Sequence, residues 1–158
     1  MPSFDTTRRV PFTPDQMFDL VADVERYPQF LPLCEGLRVL SRTQDGELDV
    51  VVAAMDVGYK AIRETFTSRV TLDRRAMAVV ADLVDGPFRH MRNQWSFTAI
   101  PGGTDVRFHI SYEFKSMMLQ MLVGAVFDQA FRKFAEAFER RAEVVYGPPT
   151  QGTERPTA

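Results

Sequence analysis

The spacing of apolar side chains changes along the chain, and the first change marks a helix. Phe4 to Val10 is a short segment of polar and apolar side chains that predicts an edge strand. Thr13-Pro14-Asp15-Gln16 then supplies a capping threonine, a proline at the first helical position and a glutamine that completes a capping box. We therefore predict a helix that starts here and ends before Tyr27-Pro28.

From Leu37 to Lys115 the pattern has a period of two, which predicts a series of antiparallel strands. The last strand is the clearest, because every second residue from Val106 to Phe114 is apolar. The strand that contains Trp95 alternates in the same way. Val57-Gly58 indicates either a further turn or a bulge within a long strand. This alternation is typical of a sheet with one dry face and one solvated face.

The C-terminal part predicts one long helix from Ser116 to Tyr146. Its second half places four phenylalanines on one stripe that can cover the dry face of the sheet: Phe127, Phe131, Phe134 and Phe138. We expect an α+β fold in which a curved antiparallel sheet wraps around this long C-terminal helix. One domain is predicted over residues 1–146, followed by a disordered polar tail over residues 147–158.

Composition and single residues exclude several classes of function. The 158 residues are 45% apolar and 25% charged with a net charge of −2, which indicates one globular domain and argues against DNA as a partner. The single cysteine, Cys34, indicates a small buried hydrophobe. His90 and His109 lie on predicted solvated faces, so no metal site is expected. No catalytic motif and no membrane-spanning run is present, so we predict a cytoplasmic protein that is not an enzyme.

Two proline-containing turns carry large apolar side chains, where turns usually carry polar ones. They are Tyr27-Pro28-Gln29-Phe30-Leu31-Pro32-Leu33-Cys34 and Gly86-Pro87-Phe88. Proline fixes the backbone, so a neighbouring aromatic ring is held in one direction. Our hypothesis is that Phe30, Leu31 and Phe88 gate the mouth of an apolar pocket. The alternative is that both turns simply close the ends of the core.

The first half of the C-terminal helix, Met117–Phe127, is apolar almost all round and leaves three interpretations open. It is buried under the sheet, it lines a cavity, or it contacts a membrane or a partner. Under the cavity interpretation Met117, Met121 and Val123 contact a ligand. Inward positions of the sheet complete the expected wall: Ile62, Phe66 and Phe108.

Three polar residues fall on predicted inward faces: Glu64, Asn93 and Tyr112. A buried carboxylate needs a partner or a raised pKa. In a functional interpretation these three side chains hydrogen-bond to a ligand head group or act as general acid and base. In a structural interpretation, a bulge near Gly58 turns Glu64 to solvent, or Arg63 or Lys60 pairs with it.

Several short motifs resemble one known family over about residues 3 to 146. They are Tyr27-Pro28-x-Phe30-Leu31-Pro32-x-Cys34, Val57-Gly58-Tyr59-Lys60, Gly86-Pro87-Phe88 with Trp95-x-Phe97, and Phe127-Asp128-x-Ala130-Phe131. They are similar to the coenzyme Q-binding and ribosome-association-toxin branch of the START-like superfamily (SRPBCC, polyketide cyclase/dehydrase). The resemblance implies a helix-grip fold.

The resemblance also implies a function: a carrier or chaperone for ubiquinone or a related prenylated lipid, which supports respiratory electron transfer without a required cofactor. Transient contact with the inner face of a respiratory membrane is part of this hypothesis. One alternative is a ribosome-association toxin that blocks subunit joining, which calls for a basic patch from Arg8, Arg9, Arg69, Arg74 and Arg75. The other is a polyketide cyclase or aromatase that uses Glu64, Asn93 and Tyr112.

Overall fold

The computed structural model describes residues 3–147, which form seven strands, three α-helices and one 3₁₀ helix. The strands are β1 (Ser3–Val10), β2 (Cys34–Asp45), β3 (Leu48–Tyr59), β4 (Ile62–Asp73), β5 (Ala78–Asp85), β6 (Phe88–Ile100) and β7 (Gly103–Phe114). The helices are α1 (Pro14–Ala22), the 3₁₀ helix (Val24–Gln29), α2 (Met117–Arg132) and α3 (Phe134–Tyr146). Beyond Gly147, the predicted polar tail lies outside the described residues.

The strands form one antiparallel sheet in the order β1-β7-β6-β5-β4-β3-β2. The first strand pairs with the last, from Ser3 opposite Ser111 to Val10 opposite Thr104. The other neighbours are consecutive hairpins. The curved sheet and the helices that pack on it confirm the predicted α+β helix-grip architecture.

The segment Val57-Gly58 is neither a turn nor a bulge, because it continues β3 to Tyr59. The irregularity lies in the neighbouring strand, where the extra residue Glu35 interrupts the register of β2. The Glu35 carboxylate lies directly over Gly58, so a Cβ atom at this position would force the Glu35 side chain to move. An extra residue in one strand increases the local bend of a sheet.

The start of α1 has the predicted capping box. The Thr13 side-chain oxygen accepts a hydrogen bond from the Gln16 N–H at 3.1 Å, and the Gln16 side chain accepts one from the Thr13 N–H at 2.9 Å. Met17, Phe18, Leu20 and Val21 form the buried face of this helix.

The C-terminal helix is broken, so the prediction of one continuous helix is wrong at Lys133. The Lys133 N–H bonds to the Ala130 carbonyl at 3.0 Å, which tightens the chain by one residue at the end of α2. No proline or glycine lies at this point of the sequence. The break separates Phe127 and Phe131 on α2 from Phe134 and Phe138 on α3.

The phenylalanine stripe packs on the inner face of the sheet, as predicted. Its rings meet those of the sheet at centroid distances of 5.5 Å for Phe127–Phe114, 4.9 Å for Phe131–Tyr112, 6.1 Å for Phe134–Phe108 and 5.0 Å for Phe138–Trp95. Most of these contacts have an edge-to-face geometry, which aromatic pairs favour. The stripe therefore joins the helices to strands β6 and β7.

We expect Phe138→Ala to lower the free energy of unfolding by about 3–5 kcal/mol, because this fully buried ring contacts Trp95, Tyr27 and Phe30 at once. Urea denaturation followed by circular dichroism measures the change. The control is Val144→Ala on the exposed face of α3, which should change stability by less than about 0.5 kcal/mol. Equal losses in both variants would show that the stripe does not hold the helices on the sheet.

Candidate ligand-binding cavity

An apolar cavity of about 70 Å³ lies between the concave face of the sheet and the break between α2 and α3. Its floor is formed by inward side chains of strands β2 to β7. Its roof comes from two places, the segment from Val24 to Leu31 and the helical residues Phe131, Phe134 and Phe138. Elements that are distant in the sequence therefore meet around one apolar space.

The Tyr27–Leu31 part of the roof is fixed by several contacts. The Tyr27 hydroxyl donates a hydrogen bond to the Val21 carbonyl, and burial raises the pKa of this hydroxyl. The Leu31 N–H donates to the Tyr27 carbonyl at 2.9 Å. Phe30 packs edge-on against Phe138 at 5.0 Å. This side of the roof is a rigid turn, as the prolines in the sequence indicate.

Two polar side chains of the sheet line the cavity, Ser68 and Asn93. The Asn93 side-chain N–H donates to the His109 carbonyl at 2.9 Å, and the Trp95 indole N–H donates to the Asn93 side-chain oxygen at 2.9 Å. Ser68 is buried, and its hydroxyl makes no hydrogen bond to another group of residues 3–147. The cavity wall is thus mainly apolar, because the polar groups of Tyr27 and Trp95 are engaged in hydrogen bonds and only the Ser68 hydroxyl and the Asn93 amide add further polar atoms.

The cavity is too small for a whole lipid. Pockets that hold a complete small-molecule ligand have volumes of roughly 300–1,000 Å³. A second apolar void of about 20 Å³ lies next to it and shares the side chains of Met55, Phe66, Phe131 and Phe134. The expectation of a permanent open cavity near Phe30 and Phe88 is therefore wrong, and a large ligand requires the roof to move.

Three of the predicted ligand contacts line the cavity: Leu31, Phe66 and Asn93. Phe30 belongs to the roof segment, but its side chain does not line the cavity. It lines a surface groove together with Lys133 and Arg141. Phe88 is not a gate, because it is 1% exposed and packs between Phe66 and Phe114. It closes the core, which was the alternative interpretation of its turn.

Phe108 and Tyr112 belong to the packed core rather than to the cavity wall. Phe108 contacts Trp95 and Phe134, and Tyr112 packs on Phe131. Burial, together with the nearby Asp128 carboxylate, raises the pKa of Tyr112 to about 12. The phenol is therefore a poor acid at neutral pH.

Glu64 and Ile62 lie half-buried at the start of β4, on the face that carries Phe66, but neither lines the cavity. Arg63 pairs with Glu35 at 3.0 Å rather than with Glu64. Within the described part of the chain Glu64 forms no ion pair. Glu64, Asn93 and Tyr112 do not converge on one point.

The prediction that Met117 and Met121 line the cavity is wrong, because they are 78% and 80% exposed. The start of α2 buries Val123, Gly124 and Phe127, and Leu119 and Val126 pack partly buried against the core. Val123 is buried, but it lies outside the cavity wall. A segment in which Gln120 is the single polar residue contains little signal for which side faces solvent, so the pattern did not distinguish these positions.

Sequence reasoning missed several wall residues, among them Tyr27, Ser68 and Phe134. Ser68 could have been found, since it lies between Phe66 and Val70 at the same alternating positions of β4. Tyr27 stands in the turn that was singled out, but its direction depends on its bond to Val21.

The described residues contain neither a metal-binding group nor a reactive thiol. Within residues 3–147 no group of three His, Cys, Asp or Glu side chains is placed to hold a metal ion. Burial raises the pKa of the Cys34 thiol to about 11, so it is protonated at neutral pH. His109 lies near Asp5 at 3.3 Å on the outer face of the sheet.

The five arginines of the hypothetical basic patch do not form one. Arg8 pairs with Glu139 at 2.6 Å, Arg9 with Asp105 at 3.7 Å and Arg75 with Glu47 at 2.6 Å. Arg74 pairs with both Asp15 and Asp19. Within the part of the chain that the structure describes, Arg69 alone of the five has no acidic partner. Most of this positive charge is locally neutralised.

Comparison with known proteins agrees with this geometry of a curved sheet, a helical cover and an apolar space between them. The model of the family described as polyketide cyclase / dehydrase and lipid transport matches residues 10–139. The chain belongs to this family. The resemblance that the sequence motifs indicated is thereby confirmed.

Some similar proteins are named as ribosome association toxins and others as coenzyme Q-binding proteins. The ribosome association toxin RatA of Escherichia coli (strain K12) is 37% identical over 147 residues, which cover 92% of this chain and 90% of RatA. The mitochondrial coenzyme Q-binding protein COQ10 homolog B of Xenopus laevis is 33% identical over 141 residues, 86% of this chain and 56% of that protein. The solution structure of an 18 kDa protein from Caulobacter crescentus has a TM-score of 0.76 and 37% identity, and covers 94% of this chain and 100% of that one.

Proposed function

We propose that the protein binds ubiquinone or a related prenylated lipid and acts as its carrier or chaperone in support of respiratory electron transfer. The observation that carries this proposal is the apolar cavity under the aromatic stripe. Burial of an isoprenoid tail is favourable by roughly 25 cal/mol per Å² of apolar surface, so such a tail needs few polar contacts. The similarity to a coenzyme Q-binding protein supports the same ligand class.

Ligand entry requires a movement that enlarges the cavity. The cavity and its smaller neighbour are separated by side chains that include Phe131 and Phe134, which stand on either side of the helix break at Lys133. A shift of α2 relative to α3 would join the two voids. The Tyr27–Leu31 turn is tied to α1 and to Phe138, so the helical side of the roof is the one that moves.

A binding role fits the site better than a catalytic one. The groups that a cyclase mechanism would use do not meet, since only Asn93 of Glu64, Asn93 and Tyr112 lines the cavity. An acid–base mechanism requires both groups within hydrogen-bond reach of the reacting atoms. We therefore propose that the protein is not an enzyme and requires no cofactor.

We expect a prenylquinone to co-purify with the protein from a quinone-producing host, and extraction followed by mass spectrometry measures it. Ala81→Leu fills the cavity without adding charge, and Leu31→Asp places an unpaired charge in its roof. Both variants should reduce the retained lipid at least about tenfold. Ala81→Leu occupies the space that the ligand needs, and the carboxylate of Leu31→Asp costs several kcal/mol in an apolar wall.

The matched control is Val144→Asp, which adds the same charge at an exposed position of α3 and should retain the lipid. Circular dichroism verifies that each variant is folded. Lipid retention that is unchanged in folded Ala81→Leu and Leu31→Asp would contradict ligand binding in this cavity.

Ribosome association is the second candidate function, and the similarity to RatA over 92% of the chain favours it. The surface groove beside Phe30 is the best-supported contact site. Lys133 and Arg141 lie in this groove, and neither has an acidic partner within residues 3–147. Unpaired cations attract the phosphates of RNA.

We expect the protein to sediment with isolated ribosomal subunits in a sucrose gradient if this second function holds. Lys133→Glu combined with Arg141→Glu should abolish the association, because both cations become anions. Arg74→Glu combined with Arg75→Glu is the control, since these arginines are already paired with acids. No sedimentation with subunits at low salt would exclude this function.

The first turns of α2 fit the proposed membrane contact. Among the helices of residues 3–147, none is long and apolar enough to cross a membrane. Met117, Met118, Met121 and Leu122 are nevertheless exposed, and no charged residue lies between Ser116 and Phe127. We propose that the protein works in the cytoplasm and touches the inner face of a respiratory membrane through this turn, because a prenylquinone is dissolved in that membrane.

In a flotation assay with phospholipid vesicles we expect the combination Met121→Glu and Leu122→Glu to reduce binding at least about fivefold, since two charges then face the acyl region. Val144→Glu with Val145→Glu is the control on the exposed face of α3. Vesicle binding that both pairs reduce equally would assign the effect to net charge and contradict a contact through α2.

A further inference from the structure

A buried hydroxyl without a partner stands in the cavity wall. Ser68 is 7% exposed, lines the cavity and makes no hydrogen bond to another group of the described residues. Almost all buried polar groups in native proteins have a hydrogen-bond partner, because the loss of hydration is otherwise uncompensated. A bound molecule with an oxygen at this point would supply the missing partner.

The amide of Asn93 is the second polar group in the wall, and its orientation is fixed. Its oxygen accepts from the Trp95 indole, and one of its two N–H groups donates to the His109 carbonyl. A flip of the amide would break both bonds. The second N–H group remains available as a donor to a molecule in the cavity.

The sheet register separates these two donors. Asn93 on β6 lies opposite Ala81 on β5, which lies opposite Val70 on β4, and Ser68 is two residues further along β4. Two strand spacings, about 10 Å, and an offset of two residues along the strand, about 7 Å, place the two Cα atoms about 12 Å apart. One oxygen atom cannot accept from both donors, whereas two acceptor oxygens on opposite edges of a ring can. The side chain of Ala81 between them is small and apolar and leaves room for a ring.

We infer that Ser68 and Asn93 form the head-group site of the cavity and donate hydrogen bonds to the two carbonyl oxygens of a quinone-type ring. This inference rests on the proposed function and defines its ligand class and orientation. The ring enters first and lies against the sheet, and the tail extends towards Leu31 and Phe134 in the roof. Ser68 thus replaces Glu64 and Tyr112 as the residue that, together with Asn93, hydrogen-bonds to the ligand head group.

The test compares two ligands with the same tail, decylubiquinone and decylbenzene, by isothermal titration calorimetry. In the wild-type protein both should bind, the quinone more tightly. Ser68→Ala should weaken decylubiquinone about fivefold to tenfold, as expected for the loss of one hydrogen bond, and should change decylbenzene less than about twofold. Its melting temperature should not fall, since the hydroxyl has no partner in the free protein.

Two further variants keep the result interpretable. Ser96→Ala removes a hydroxyl from the groove on the opposite face of the sheet and should affect neither ligand. Asn93→Leu removes the second donor and also leaves the Trp95 N–H without its acceptor. The loss of that acceptor affects both ligands alike, so we expect this variant to lower the ratio of quinone affinity to benzene affinity. If both ligands bind and Ser68→Ala leaves this ratio unchanged, the head-group site is wrong while the proposed function stands. If neither ligand binds to the wild-type protein, the proposed function itself fails.

Discussion

The concave apolar face of the sheet has to be covered, and the rest of the structure depends on this constraint. Four phenylalanines from two helical segments supply the cover, and their rings meet aromatic rings of β6 and β7 at 4.9 to 6.1 Å. Towards β3, β4 and β5 the inward side chains are smaller, for example Ala53, Ser68 and Ala81. Large rings on one side and small residues on the other leave the space that forms the cavity.

A small cavity under a broken helix reconciles stability with ligand binding. A permanently empty space of several hundred Å³ would forfeit the contacts that hold the domain together. The protein instead keeps about 70 Å³ and separates it from a second void by Phe131 and Phe134. Because the turn at Tyr27 is anchored to α1, the proposed lipid tail would gain its space on the helical side. The ligand would then replace the contacts that the rings lose.

Local signals predicted the elements, whereas the site depends on how the elements meet. Alternation predicted β7 and the inward face of β4, and the capping box predicted α1. The break at Lys133 has no proline or glycine, so the local sequence contains no signal for it. The exposure of Met117 and Met121 was not predictable, because a segment with Gln120 as its single polar residue does not define its buried side. Glu64 lies on the predicted face of β4 but outside the cavity. The extent of the cavity along β4 depends on where the helices cover the strand, which the strand's own sequence does not show.

Charge pairing separates the two candidate functions in space. Most arginines of residues 3–147 are neutralised by acids close to them, whereas Arg141 and Lys133 in the groove beside Phe30, like Arg69 elsewhere, have no acidic partner within these residues. Phe30 packs on Phe138, whose ring forms part of the cavity roof. A partner bound in the groove would therefore contact Phe30, which packs on the Phe138 side chain of the cavity roof. If both functions are present, each binding event changes the free energy of the other, and by linkage the effect is equal in both directions.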